Sequence, residues 1–496
     1  MNAFTNADWS LMIPEIALVV FALVIFTIDL LMGIRGKRAS LGVLSVFALL
    51  IALALLLTTD KTGTIAYTFV LDPFAILFKI VILAGTALVI LMSMAYLKKN
   101  PEIYQGEFYY LLLFAAAGAM LMVSSVDLVT LYIGLEVLSI ASYCLAGFRK
   151  QHLKSNEAAM KYVILGGVSS AFILYGISFV YGLTGTTNLL IIGSEMAAIY
   201  DNFGYLVIMS LLFMLVGFGF KISSVPFHMW APDVYEGAPT PITAFLSVVS
   251  KVAVFGLTLR VLILGFGAIF EQWYFFFGLI AAMTMIIGNI VALAQKSSKR
   301  LMAYSGIAQA GYLLVPLAAA LPGEVMLSQI VFYAFAYLLM TLGAFAVITF
   351  VTEDAGSDDL SAFSGLHQRS PFLAFAMAVF LFSLAGLPVT AGFFGKFYIF
   401  LGVMTQHMYW LAIIMAVTSI ISFYYYFTII KHMYMAKTDN GVEEANQDHH
   451  AENQKPLSIP VSINLIVLVA LIGTVLLGVM PNLLTTILNS TEWMIF

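Results

Sequence analysis

Fourteen apolar stretches constrain this chain more than any other feature, because each is close to or above the roughly 20 residues a helix needs to cross a hydrocarbon core. They fall near residues 11–33, 40–58, 71–97, 107–125, 127–147, 157–183, 204–234, 239–266, 271–294, 300–320, 325–351, 371–402, 408–436 and 457–488. In lipid, every backbone amide must find a partner within the protein, so stretches of this kind become helices. The expected fold is an all-α polytopic membrane protein of about 14 transmembrane helices. Composition agrees: 62% of the 496 residues are hydrophobic and 10% are charged, too little polar surface for a soluble domain. The first stretch spans without a basic segment before it, so it reads as helix 1 and not as a cleavable signal. The one cysteine, Cys144, forms no internal disulfide and falls short of the four thiolates an iron–sulfur cluster takes. It reads as a small packing residue.

Charge placement orients the bundle. With the N-terminus outside, the odd-numbered connections are cytoplasmic. They hold Arg35, Lys37, Arg38, Lys98, Lys99, Arg149, Lys150, Lys154, Lys296, Lys299, Arg300, Arg369, Lys431, Lys437 and Lys455, fifteen of the 22 Lys and Arg. The even connections hold Lys61 alone. This follows the positive-inside rule and puts both termini on the outer side. Asp72-Pro73, Thr240-Pro241 and Ser370-Pro371 read as a cap followed by proline at the first helical position, where its missing N–H is harmless. The acidic stretch 437–456 contains His449-His450; without ligand-spaced neighbours this pair reads as part of a solvated loop, not as a metal site.

Six cations remain, all inside apolar stretches: Lys79, Lys161, Lys221, Lys251, Arg260 and Lys396. A charge at mid-bilayer costs about 2.5–3.5 kcal/mol on insertion scales, so it persists where it is paired, hydrated or used. Glu136, in LYIGLEVLS, lies about nine residues from either end of helix 5, roughly 14 Å deep. Lys251 is equally central in helix 8, where desolvation eases proton release near neutrality. Lys221 precedes Pro226, with Gly217 and Gly219 before it, in a stretch too long for one straight span. This reads as a broken helix 7, and broken helices at membrane depth line cavities. His228 follows the break and is a candidate proton relay. Lys396 lies beyond Gly386, Pro388, Gly392 and Gly395 in helix 12, which reads as broken in the same way. Helices 7 and 12 are five apart, an odd number, so equivalent helices run in opposite directions. The pattern is two inverted five-helix repeats, 107–266 and 271–436, flanked by helices 1–3 (1–97) and helix 14 (457–496).

Lys161 lies near the start of helix 6, within reach of Glu157 one turn earlier, and is a candidate neighbour of Glu136. Lys79 and Arg260 lie near outer helix ends and are expected to snorkel or pair. Glu15 and Asp29 read as interfacial. No GxGxxG follows a strand (Gly217-Phe218-Gly219 lacks the third glycine), there is no GKS or GKT loop, and there is no cysteine cluster. The chain is therefore expected to hold no cofactor or metal and to do no redox chemistry itself, its energy coming from partners or from an ion gradient. No nucleic-acid partner is expected.

The stretches around these same residues carry a resemblance over essentially the whole chain. LYIGLEVLSIASY (131–143), PFHMWAPDVYEGAPTPITAFLSVVSK (226–251), KRLMAYSGIAQAGYL (299–313) and SLAGLPVTAGFFGKFY (383–398) resemble the subunit N family of bacterial proton-translocating NADH–quinone oxidoreductase (respiratory complex I), one branch of the antiporter-like membrane subunits. PDVYEGAPTP is specific to that branch; the sodium/proton antiporter subunits carry a different stretch there. The resemblance implies fourteen helices, inverted repeats and a proton path through Glu136, Lys161, Lys221, Lys251 and Lys396. It also implies a bacterial plasma membrane, partner membrane and peripheral subunits, and NADH, flavin, iron–sulfur clusters and quinone held by those partners. Gln309 stands where many relatives carry a histidine, so no titrating group is expected there. In this reading Glu136 pairs alternately with Lys221 or Lys161, and protons pass between Lys251 and Lys396. Two other classes of function remain. A subunit of a cation/proton antiporter would exchange sodium without redox partners. A passive scaffold would tolerate neutral Glu136.

Overall fold

Apolar stretches without an internal turn signal fold as helices nearly end to end. The computed structural model describes residues 8–32, 39–59, 61–101, 103, 105–319, 327–435, 457–491 and 493. Its helices are α1 (Ile13–Met32), α2 (Ala39–Leu57), α3 (Pro73–Lys99), α4 (Gln105–Val123), α5 (Leu128–Ala146), α6 (Leu153–Thr184), α7 (Leu189–Ile222) and α8 (Trp230–Gly237). After them come α9 (Thr240–Gly265), α10 (Phe270–Ala292), α11 (Ser298–Ala318), α12 (Leu327–Ala355), α13 (Pro371–Ala385), α14 (Ala391–Thr405), α15 (Tyr409–Tyr434), α16 (Val461–Val479) and α17 (Asn482–Asn489). Among the described residues, 13 helical segments are long and apolar enough to cross a membrane. The shorter α13 and α14 follow one another in place of the twelfth stretch.

Several local expectations are corrected. α7 begins at Leu189, well before residue 204, and departs from helical geometry at Phe203 (φ −133°, ψ 33°). Glu195 and Asp201 hide this first part from an apolar count. α7 ends at Ile222 with Ser223 left-handed, and residues 223–229 run as turns before α8. Asp72 caps α3, accepting from the Ala75 amide at 2.8 Å, whereas Ser370 makes no side-chain cap bond and Thr240 is itself the first helical residue. A small antiparallel hairpin, β1 (Gly63–Ile65) and β2 (Phe69–Leu71), pairs Gly63 with Leu71 and Ile65 with Phe69. Its turn places Ala66 and Tyr67 at positive φ. It interrupts the otherwise helical fold and carries no period-two signal long enough to read from sequence. Cys144 is exposed on the outer face of α5 and not packed inside. His449 and His450 lie outside the described residues.

α9, α11 and α12 form the inside of the bundle. The apolar windows of these three spans are 100%, 94% and 89% buried, against 33% for α1 and 39% for α6, whose outer faces remain uncovered within the chain. Lys251, Arg260 and Gln309 sit on these helices, and Lys396 faces Tyr312 of α11. α9 is not a uniform α-helix: Leu246–Ser250 and Val261–Gly265 are π-helical turns.

Two buried ion pairs fasten this part of the bundle: one holds the end of α9 to the start of α3, and the other joins α3 to α1. Arg260 donates to both carboxylate oxygens of Asp72 (2.9 and 2.7 Å) and to the Val123 carbonyl (2.9 Å). Both side chains are fully enclosed. Lys79 Nζ lies 2.5 Å from Glu15 Oε1 and faces the Phe69 ring. Lys79 and Arg260 thus pair and do not snorkel. Glu15 and Asp29, near helix ends, are buried because neighbouring helices close over them. Removing one partner of a buried pair strands the other charge, at about 3–5 kcal/mol. Arg260→Gln is expected to lower the melting temperature of the purified assembly by several degrees, and an unchanged melting curve would show that the pair adds no net stability.

Candidate functional site

Lys221, Lys251 and Lys396, unlike Lys79, are held by hydroxyls or carbonyls and not by a carboxylate. Lys221, in the last turn of α7, donates to Ser139 Oγ (2.6 Å) and Tyr143 Oη (2.9 Å) on α5. The rings of Tyr143, Tyr162 and Phe220 stand 5.1, 6.0 and 5.8 Å from its ammonium, a geometry that favours a cation. Trp230 stacks on Tyr162 at 4.5 Å and donates to the Phe220 carbonyl (2.7 Å), tying α8 back to the end of α7. Glu136 lies on the same α5 face, one turn before Ser139. It accepts from Ser170 of α6 at 2.5 Å. Ser139 itself donates to the Leu135 carbonyl (2.6 Å), so Glu136 and Lys221 share the α5 face with no direct ion pair among the described residues.

Lys251 follows the first π-helical turn of α9. Such turns gather at functional sites. Its ammonium donates to the Gly306 carbonyl of α11 at 2.7 Å. A Cβ on Gly306 would stand 3.4 Å from Lys251 Nζ, so glycine keeps the approach open. Lys396 of α14 donates to the Leu384 and Ala385 carbonyls (2.8 and 3.1 Å) and faces the Tyr312 ring at 4.4 Å. Those carbonyls are the last of α13. Gly386 turns left-handed (φ 94°), and the amides of Gly386 and Leu387 return to Phe382 and Ser383. The final two oxygens are left for the lysine at the negative end of the helix dipole.

α11 joins these two lysines. One turn past Gly306, Gln309 donates to the same Leu384 carbonyl that Lys396 uses (3.0 Å) and to Tyr426 Oη (3.3 Å). Its own Oε1 accepts from the Tyr333 hydroxyl. Tyr426 also bonds Ser305. Tyr312 donates to Thr418 (3.2 Å). The polar continuity at this position thus comes from an amide and tyrosines, with no titrating imidazole. Ser139 and Tyr143 were findable in the sequence as i+3 and i+7 from Glu136. Tyr312, Tyr333 and Tyr426 were not, because tyrosine is common in apolar helices and its hydroxyl partners come from distant stretches.

Lys161 and His228 lie apart from this row. Lys161 is 40% exposed and pairs with Glu157 and Asp233, each at 2.6 Å. Ser170, which bonds Glu136, is nine residues further along α6, about 13.5 Å of helix rise, so Lys161 does not adjoin Glu136 as its helix numbering suggested. His228 is half-buried in the turns between α7 and α8, with Nδ1 enclosed and unpartnered. The acids of the PDVYEG motif, which sequence reasoning passed over as individual residues, act as a clamp. Arg300 at the start of α11 bonds Asp233 (2.8 Å) and Glu236 (2.9 Å), and Lys154 bonds Glu236 (2.9 Å). Together they fasten α8 to α6 and α11.

This arrangement, ionisable side chains enclosed along the middle of a membrane helix bundle, is that of the antiporter-like membrane proteins. Residues 125–422, more than half of the chain, match the family described as NADH:quinone oxidoreductase/Mrp antiporter, transmembrane. Within that class, the chain belongs to the NADH-quinone oxidoreductase subunit N family. It is 46% identical to NADH-quinone oxidoreductase subunit N of Brevibacillus brevis, over 96% of this chain and 94% of that one. A chain of respiratory complex I from Thermus thermophilus, solved with bound aureothin, is 32% identical and superposes with a TM-score of 0.77, covering 96% of this chain and 99% of that one. A chain of the Mrp complex from Dietzia sp. shares the fold at 21% identity, with a TM-score of 0.80 and 96% of both chains covered.

Partial burial pushes the Asp233 and Glu236 carboxyls up. Hydrogen bonds from Lys161 and Arg300 to Asp233, and from Lys154 and Arg300 to Glu236, outweigh it and hold both below their ordinary range. A depressed carboxyl stabilises the folded clamp above its unfolded pKa, about 4, and that contribution is lost as pH falls through the lower folded value. Amide exchange in α8, corrected for the chemical rate, is expected to accelerate several-fold between pH 6 and pH 3. Equal protection would show that packing alone holds α8.

Proposed function

We infer that this chain is the proton-translocating membrane subunit of a redox-driven NADH–quinone oxidoreductase. It works in a bacterial plasma membrane with both termini on the outer side, alongside other membrane and peripheral subunits. NADH, flavin, iron–sulfur clusters and quinone belong to those partners, and this chain performs no redox step. Membership of the subunit N family supports the complex. Lys251 and Lys396 support the proton path, since both are enclosed and both are linked through α11.

In the proposed sequence, energy from quinone reduction alters charge or conformation at one end of the row. Glu136, on the α5 face that carries Ser139 and Tyr143, stabilises the protonated form of Lys221. When that stabilisation is withdrawn, Lys221 releases its proton towards Lys251, and the transfer continues to Lys396 along the Gln309 and tyrosine groups, or runs in reverse. His228, in the turns after Lys221, is placed to pass protons between Lys221 and the surface. Lys161 acts on this row through the α8 clamp. The proposed architecture behind it is two inverted five-helix units, 107–266 and 271–436. Each carries a lysine beside a helix interruption: Lys221 before the turns at 223–229, and Lys396 after the turn at Gly386.

Lys251→Met removes the titrating ammonium and keeps the side chain's bulk. Protons moved per electron, measured in sealed vesicles, are expected to fall severalfold while the complex assembles and still reduces quinone. Unchanged stoichiometry would remove Lys251 from the path. Glu136→Gln is expected to slow coupled turnover, and full activity in that variant would favour the scaffold reading.

A further inference from the structure

The proton path leaves one basic recess unused. Between the end of α5 and the start of α6, the loop Phe148–His152 encloses a cavity of about 190 Å³ lined by Ile103, Glu107, Phe148, Arg149, Lys150 and His152, with Gln151 at its edge. The loop is firmly built. Ser155 Oγ bonds the Ala146 carbonyl (2.9 Å), Asn156 Nδ2 bonds the Lys150 carbonyl (3.0 Å), and the Phe148 ring meets the edge of Phe108 at 5.2 Å. Its cations are free. Lys154, just beyond, is taken by Glu236, but neither Arg149 nor Lys150 has a carboxylate partner among the described residues, and Arg149 Nε is enclosed with no hydrogen-bond partner. Among the described residues Glu107 is the one acid lining the recess. Two cations against that carboxylate leave the described lining with a net charge of about +1.

We propose that this recess binds the phosphodiester headgroup of an anionic membrane lipid, with Arg149 and Lys150 as its ligands. One negative charge balances the recess, and a guanidinium with an unused N–H matches phosphate oxygens. The size decides against larger anions, because pockets that engulf drug-sized molecules run about 300–1,000 Å³. The rim decides for lipid over free phosphate. Leu153, the residue after His152, is 86% exposed, and Met160 further along α6 is 62% exposed. Beyond the exposed Asn156 and Glu157 the same face runs apolar through Met160, Ile164 and Val168, where acyl chains would lie. By the distribution of Lys and Arg, the recess faces the cytoplasmic leaflet, where basic pockets between helices take anionic headgroups.

The test uses the intact complex in nanodiscs of phosphatidylcholine with a trace of phosphatidylglycerol carrying a photoreactive headgroup-proximal label. Labelling of the segment 148–156 is expected in the natural protein. It is expected to fall roughly fivefold for each charge removed in Arg149→Gln and Lys150→Gln, to survive in Arg149→Lys, and to be absent with labelled phosphatidylcholine. Inorganic phosphate at millimolar concentration is expected not to compete. Equal labelling of the natural and doubly neutralised proteins would overturn the proposal. So would complete displacement by inorganic phosphate, which assigns the recess to a free anion, or no labelling of 148–156 in a complex of full quinone reductase activity, which assigns it to a neighbouring subunit.

Discussion

The dominant constraint on this molecule is the cost of holding an ammonium group where there is no bulk water. Three lysines answer it with oxygen dipoles in place of a counter-charge: Lys221 with two hydroxyls, Lys251 with a carbonyl, Lys396 with two carbonyls. Helical regularity is relaxed beside each of these lysines. α13 ends at Gly386 and exposes its last carbonyls, a π-helical turn precedes Lys251, and α7 stops one residue beyond Lys221. At Gly386 the irregular backbone and the buried charge answer one another, since the carbonyls freed at the end of α13 and the desolvated ammonium of Lys396 satisfy each other.

Charge is handled differently at the margins. Arg260 with Asp72 and Lys79 with Glu15 are closed ion pairs, and the Asp233, Glu236, Arg300, Lys154 and Lys161 network is a part-exposed lattice. These pairs serve as fasteners: Arg260 with Asp72 fixes α9 to the start of α3, Lys79 with Glu15 fixes α3 to α1, and the network fixes α8 against α6 and α11. Between them the central row is left with partners that impose no fixed charge.

Most of the helical architecture was legible because lipid permits few alternatives. Apolar length gave the spans, and Lys and Arg placement gave an orientation. Glu136, Lys221, Lys251 and Lys396 stood out because an ionisable residue in an apolar run is rarely idle. What stayed hidden was non-local. Lys161 looked like a neighbour of Glu136 from helix order, but depth along α6 separates them, and its true partner, Asp233, arrives from beyond an interruption in the chain. The first half of α7 was masked by Glu195 and Asp201, and the Glu15–Lys79 pair joins residues far apart in sequence. The role of Gln309 depends on Tyr333, Tyr426 and Leu384, which three separate helices bring to it.

A lysine resting on carbonyls has an unusual property. A neutral amine keeps two N–H groups, so it remains a donor to the same oxygens after its proton has gone. A carboxylate partner would release its hold in that event, and the side chain would swing away. For Lys251 on Gly306, and for Lys396 on Leu384 and Ala385, the resting geometry serves both ionic forms. The bundle can be emptied and refilled with little rearrangement of its own framework, and the work of a cycle is left to the charges that arrive from outside.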